Sequence, residues 1–172
     1  MVAAVRAETV PPFALINWDG RPVSTESLRG RTTILVFTFA KCVFACPMVT
    51  FQLKALDEEL GSPTGLSYLH VSVNPAGDTR SEILSHFRKH DIDPRRDPRW
   101  LFATGSEAQT AAVLSAYGIR VQRTSTPQGE LIEPTIKVVV IDPQGRLAAT
   151  FDSYQWNREE MRHALASLSE PR

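Results

Sequence analysis

The chain has 172 residues with 19 basic and 19 acidic side chains, so its formal net charge is zero, which leaves no footprint for nucleic acid and no patch for an anionic membrane surface. No apolar stretch approaches the roughly 20 residues needed to cross a bilayer, and the stretch from Met1 to Glu8 lacks the apolar core of an intact signal peptide. The length suits one domain, with residues 1–11 as a flexible lead-in and 12–172 as the folded unit.

In chain order, Pro12 to Val23 reads as a hairpin with Asp19-Gly20 as its turn. Ser24 caps a short helical turn that ends at Gly30. Thr33 to Phe39 is β-branched and aromatic and reads as a buried strand. It runs into Lys41-Cys42-Val43-Phe44-Ala45-Cys46-Pro47, where Pro47 suits the first turn of a helix because its missing N–H has no partner to lose there. Val49, Leu53, Leu56 and Leu60 carry that helix on to Gly61. Leu66 to Val73 is the next strand, and Thr79 with Glu82 three residues on predicts a helix from Arg80 to about His90. After a loop with Pro94 and Pro98, Trp100 to Thr104 is a short strand, and Ser106 caps a helix that Gly118 stops. Val121 to Glu133 reads as an extended hairpin, Ile136 to Ile141 and Arg146 to Phe151 as antiparallel strands around an Asp142 to Gly145 turn, and Asn157 caps a last helix. This order implies a mixed α/β sheet with helices on both faces, a three-layer sandwich with an N-terminal hairpin extension. It resembles the thioredoxin-like folds.

Cys42 and Cys46 are the only cysteines and lie one helical turn apart at a strand-to-helix junction. A cysteine beside a helix N-terminus faces unpaired N–H groups and the positive end of the dipole, so its thiolate is favoured and its pKa is expected to fall. The spacing lets the pair close a disulfide or hold a soft metal ion between two thiolates. Two cysteines buried as ordinary core residues would explain neither their pairing nor their place.

The chain resembles the Sco/SenC family of thioredoxin-fold proteins over nearly its whole length. The matching residues are Phe13 to Gly30, the strand into Cys42-Val43-Phe44-Ala45-Cys46-Pro47, Val73-Asn74-Pro75 with Asp78-Thr79, Leu101 to Gly105, and Val140 to Arg146. The resemblance implies an exported or membrane-anchored protein that binds copper through the cysteine pair and a distant histidine and helps assemble or reduce the copper site of cytochrome oxidase. Here the place of that histidine reads Glu133-Pro134-Thr135-Ile136, with no histidine between His90 and His163, and Asn74 stands where the family usually has aspartate. A Pro-Thr pair opening a strand resembles instead the cis-proline motif of thioredoxins, in which the proline lies against the disulfide and the adjoining backbone pairs with a partner chain. A trans proline starting a strand is the plain alternative.

Other candidate ligands carry less. Met48 offers a thioether but sits where core-filling methionines are common; His86 and His90 are spaced for one helix face, expected to be solvated; His70 falls in a buried strand, and His163 has no motif around it. Asp78 is implied by the resemblance to lie near the cysteines. A peroxidase is disfavoured because Phe37 to Cys42 lacks the Pro-x-x-x-Thr-x-x-Cys arrangement.

Two functions follow. The first is a thiol–disulfide oxidoreductase in which Cys42 attacks, Cys46 resolves and Pro134 helps position the partner, needing no cofactor for that role. The second is a copper carrier using Cys42, Cys46 and a substitute third ligand. The expected partner is a protein thiol or disulfide, in the family's terms a copper protein or oxidase subunit, with no nucleic acid and no membrane span in this chain. The expected location is periplasmic or otherwise extracytoplasmic, with a leader or anchor lying outside this sequence.

Overall fold

The computed structural model describes residues 8–43 and 45–169. The hairpin comes first, β1 (Ala14–Asn17) against β2 (Pro22–Ser24), and Gly20 takes a φ of 86° in the turn, a conformation an L side chain resists. β3 (Thr32–Thr38) leads into α1 (Ala45–Glu59), and β4 (Leu66–Ser72) into α2 (Arg80–Arg88). β5 (Trp100–Thr104) precedes α3 (Glu107–Ala116), whose start carries the reciprocal cap of Ser106 and Gln109. Then come β6 (Val121–Thr126), β7 (Gly129–Pro134), β8 (Val138–Ile141), β9 (Leu147–Phe151) and α4 (Arg158–Ser169), which Asn157 caps through the N–H groups of Glu159 and Glu160.

Seven strands form one mixed sheet in the order β2-β1-β5-β4-β3-β8-β9, with β3, β4 and β5 parallel and β1 and β8 antiparallel to their neighbours. β3 is buried almost end to end because it lies at the centre and is covered on both faces. Its side chains alternate: Ile34 and Val36 pack with Leu53 and Leu56 of α1, Ile83 and Phe87 of α2 and Met161 of α4. Leu35 and Phe37 face the other way, onto Phe13, Leu28, Val113 and Leu114. Helices on both faces make the three layers that the order of elements implies.

Two expectations shift. Ile136 does not open a strand: the Thr135 N–H donates to the Arg120 carbonyl at 2.8 Å and the Thr135 hydroxyl accepts from the Arg120 N–H at 3.2 Å. This stretch is therefore tied to the residue before β6 rather than to β3, and β8 begins at Val138. Of the lead-in expected to be flexible, residues 1–7 lie outside the described residues. The remainder is bonded, Thr9 bridging to Arg146 and Val10 N–H donating to the Gly145 carbonyl at 3.1 Å.

One buried ion pair locks α1 to the sheet. Asp57, on the inner side of the helix, accepts from Arg99 at 2.6 and 3.1 Å, from the Tyr68 hydroxyl at 2.9 Å and from Ser62 at 3.0 Å. Burial alone would raise the Asp57 pKa, but the bonds from Arg99, Tyr68 and Ser62 win and hold it below the usual carboxylate range. Asp57→Ala is expected to cost about 3 kcal/mol, because it leaves the buried Tyr68 hydroxyl without its acceptor and takes from Arg99 its buried carboxylate partner, leaving Asp97. Chemical denaturation checks this, and a change within error of zero would refute it.

Histidines form a second buried feature. His70 stacks on Phe102 with ring centroids 5.7 Å apart, His86 lies 5.8 Å from His70, and His90 lies 5.3 Å from His86. His86 was expected on a solvated face, yet it is buried with Ile83 and Phe87 because the inner side of this short helix takes every residue at that spacing. Burial, then neighbouring positive charge, lowers all three pKa values, His86 to about 4 and His70 well below its ordinary value. The unfolded chain binds these protons near pH 6.5 and the folded one resists them, so stability present above pH 6.5 is lost as pH falls toward 4. Asp78, raised to about 6 chiefly by burial, acts in the opposite direction over part of that window. The balance is an expected net loss of about 2 kcal/mol between pH 7 and pH 5. His70→Phe, which keeps the ring and removes the proton site, should remove most of the loss in paired denaturation curves; an unchanged pH dependence would count against this account.

Candidate functional site

The cysteines stand where β3 ends and α1 begins. β3 delivers the chain to the edge of the sheet, and the Cys42 N–H turns back to the Phe39 carbonyl at 3.2 Å. α1 starts at Ala45, two residues before Pro47, so Cys46 lies in its first turn and Cys42 just ahead of it. There the Cys46 backbone N–H donates to the Cys42 sulfur at 3.4 Å. A helix N-terminus leaves such N–H groups without intrahelical acceptors, and here a sulfur takes the role of a cap. The two cysteines are in the dithiol form, Cys42 half-buried and Cys46 buried.

Their environments differ. The Cys46 thiol is held far above its ordinary pKa, first by its hydrogen bond to the Cys42 sulfur and then by burial, with the charges of Cys42 and Asp78 adding to the effect. The proton is thus held on Cys46, and Cys42 is the more accessible of the two sulfurs. α1 has no acidic side chain in its first turn, so no carboxylate competes with that sulfur for the positive end of the helix.

Behind the pair, the helix start is fixed by buried polar contacts. The Thr50 hydroxyl donates to the Cys46 carbonyl at 3.0 Å and accepts from His86 Nε2 at 3.0 Å. Asp78 is buried below the turn, where it accepts from the Ala40 N–H at 2.8 Å and from the Ser72 hydroxyl at 2.5 Å. Ser72 accepts in turn from the Asn74 N–H at 3.1 Å, and the Asn74 side-chain oxygen accepts from Arg123 at 3.2 Å. Arg123 also reaches the Val73 carbonyl at 3.3 Å and Glu130 at 2.7 Å. A continuous chain of bonds therefore runs from the cysteine turn through the β4–α2 loop to the β6–β7 hairpin. Gly77 belongs to that loop because a Cβ there would sit 2.2 Å from the Asn74 amide. Asp78 was legible as a site residue; Thr50, His86, Ser72 and Arg123 were not, since each acts through a partner far away in sequence.

Pro134 closes β7 opposite Val121 instead of opening the following strand, and its peptide bond is trans. Val121 and Ile132 of the hairpin pack on the same apolar cluster as Cys42, so the hairpin and the cysteine turn share one face of the sheet. Met48 follows Cys46 by two positions on α1, a spacing that points side chains apart, and it is exposed where Cys46 is buried. His163 lines a cleft with Thr32 and Leu66, at the start of β3, the far end from the cysteines. Among the described residues, no three His, Cys, Asp or Glu side chains come together as a metal site. The donors at the turn are the two cysteine sulfurs, a set that as thiolates fits Cu(I).

Known proteins are similar in sequence and in fold. A family model described as SCO1/SenC matches residues 2–170. Protein SCO1 homolog 1, mitochondrial, of Arabidopsis thaliana is 27% identical over 145 residues, covering 83% of this chain and 42% of that protein, so the chain spans less than half of that relative's length. Among solved structures, Arabidopsis thaliana ScoI with copper bound superposes with a TM-score of 0.79 at 21% identity, over 92% of this chain and 96% of that one. BsSco, described as having a disulfide switch and as a member of the Sco family of cytochrome c oxidase assembly proteins, gives a TM-score of 0.77 at 21% identity, over 100% of this chain and 99% of that one. With a cysteine pair on the β3–α1 turn and a family match along nearly its whole length, the chain belongs to the SCO1/SenC family.

Proposed function

We propose that this chain carries out thiol–disulfide exchange through Cys42 and Cys46 in the assembly or reduction of a copper site of the cytochrome oxidase kind. The observation that carries the reading is the asymmetry of the two sulfurs: Cys42 accepts a helix N–H at 3.4 Å, while Cys46 is buried and keeps its proton. An accessible sulfur that ionises first is an attacking group, and a buried thiol one turn away is placed to resolve the mixed disulfide. The disulfide switch of BsSco and its stated place among oxidase assembly proteins support the same chemistry here. The partner is a protein thiol or disulfide, and the setting is extracytoplasmic, in line with the mitochondrial Arabidopsis relative. Pro134 is assigned to shaping the partner-facing side of the hairpin.

A second reading, carriage of copper between Cys42 and Cys46, is favoured by the copper-bound Arabidopsis structure and by the fit of two thiolates to Cu(I). Copper would then be cargo, held by the two sulfurs and completed by a ligand from the recipient.

If Cys42 is the attacking sulfur, alkylation of the reduced protein near neutral pH should modify it about tenfold or more faster than Cys46, and Cys42→Ser should abolish exchange. Equal rates at the two sulfurs, read by peptide mapping, would refute the assignment. Pro134→His puts an imidazole at the sequence position of the family histidine and should raise Cu(II) affinity, which should be weak in the native protein because thiolates alone reduce Cu(II) as they pair. The same change should slow exchange with a protein disulfide. A stable Cu(II) spectrum from the native protein would return the carrier reading to the lead.

A further inference from the structure

The first two turns of α1 are apolar on the outside as well as the inside. Val49 and Leu53 face the core, as they must, but Met48 and Phe51 on the outer side are 46% and 58% exposed, and Val43 between the cysteines is 93% exposed. Of the five large apolar residues exposed among the described residues, these three fall within nine positions of one another, beside Cys42. Met48 and Phe51 are three apart on the helix, a spacing that makes them surface neighbours. An exposed apolar ridge of this kind is ordinarily covered, and packing among the described residues leaves it uncovered.

The ridge is also uncharged. The helix has no charged side chain before Lys54, and Lys41, next to Cys42 in the chain, is paired with Glu82 at 3.4 Å. With a net charge of zero there is no long-range field to steer a charged partner to this place. Whatever covers the ridge must also bring an acceptor sulfur to Cys42, which a lipid surface cannot do; a second copy, paired about its own Cys42, would close that sulfur to every other acceptor.

We propose that Val43, Met48 and Phe51 form the docking ridge for the redox partner, and that the partner is a protein whose reactive sulfur is set in an aliphatic or aromatic surround free of charge. The inference rests on the exchange reading above and gives the chemistry of the partner. In the exchange itself, the Cys42 thiolate attacks one sulfur of the partner disulfide and forms a new S–S bond while the other partner sulfur leaves as thiolate. Cys46 then loses its proton to water and displaces the first partner sulfur. The protein ends oxidised, as a Cys42–Cys46 disulfide, and the partner ends reduced, as two thiols.

The test uses the reduced protein and three short peptide disulfides whose cysteine is flanked by Leu and Phe, by Asp, or by Lys, with glutathione disulfide as a reference for the intrinsic chemistry. The apolar peptide should react about tenfold faster than either charged one, with a rate indifferent to salt. Met48→Gln with Phe51→Gln, which keeps good helix formers on the exposed side, should bring the three peptide rates together and leave the glutathione disulfide rate unchanged. Equal rates in the native protein, a salt-dependent preference for a charged peptide, or a preference that survives the double substitution would overturn the inference while leaving the exchange reading intact. So would a dimer in sedimentation, or binding to phosphatidylcholine vesicles, that the double substitution removes, since the ridge would then belong to a second copy or a bilayer. Failure to react with glutathione disulfide at all would instead remove the exchange reading and the inference with it.

Discussion

The contact on which the site depends is the one between the Cys46 N–H and the Cys42 sulfur, 3.4 Å long, at the point where β3 hands over to α1. It makes a sulfur the cap of a helix and thereby gives the two cysteines different chemistry from the same sequence motif. A helix N–H turned to a sulfur is the kind of partner that favours a thiolate, and the hydrogen bond between the two sulfurs, together with burial, keeps the proton on Cys46. A pair four residues apart inside a regular helix would lack this division, because neither sulfur could sit at the orphan N–H groups.

Holding the cap in place takes more of the molecule than the turn itself. Asp78 grips the Ala40 N–H, and the Thr50 hydroxyl, itself held by His86, grips the Cys46 carbonyl. The bonds continue through Ser72 and Asn74 to Arg123, so the position of the β6–β7 hairpin is coupled to the position of the cysteine turn. Buried polar groups of this kind fix geometry when fully bonded, and the ones nearest the cysteines are bonded. The core supplies the remaining rigidity: Ile34, Val36, Leu53 and Leu56 fix the angle between β3 and α1, and the Asp57–Arg99 pair ties the far end of the helix to the sheet.

Much of this was legible in the residues. The β-branched run Thr33 to Phe39, the cysteine turn, Pro47 and the glycine stops gave the strand, turn and helix order, because period and capping are local signals. The cysteine turn proposed as the site was legible for the same reason, as two cysteines one helical turn apart at a strand-to-helix junction. What sequence could not give was contact at a distance. His86 looked like a solvated partner of His90, and only packing of α2 against the sheet shows it buried against Thr50. Pro134 looked like the start of a strand, but the bonds of Thr135 to Arg120 close the hairpin there and delay β8 to Val138. Arg123 carried no motif, and its role follows from the hairpin lying beside Asn74.

The central claim is that the two sulfurs form a reversible redox pair within the folded chain. Equilibration in glutathione buffers of graded poise, followed by mass spectrometry of the intact protein and of its peptides, tests this most directly. The account predicts a monomer lighter by two hydrogens, with Cys42 joined to Cys46, whose proportion tracks the buffer poise and which returns to the dithiol on reduction. A chain that stays a dithiol in oxidising buffer, or that ends as a glutathione adduct at Cys42 with Cys46 untouched, would contradict it.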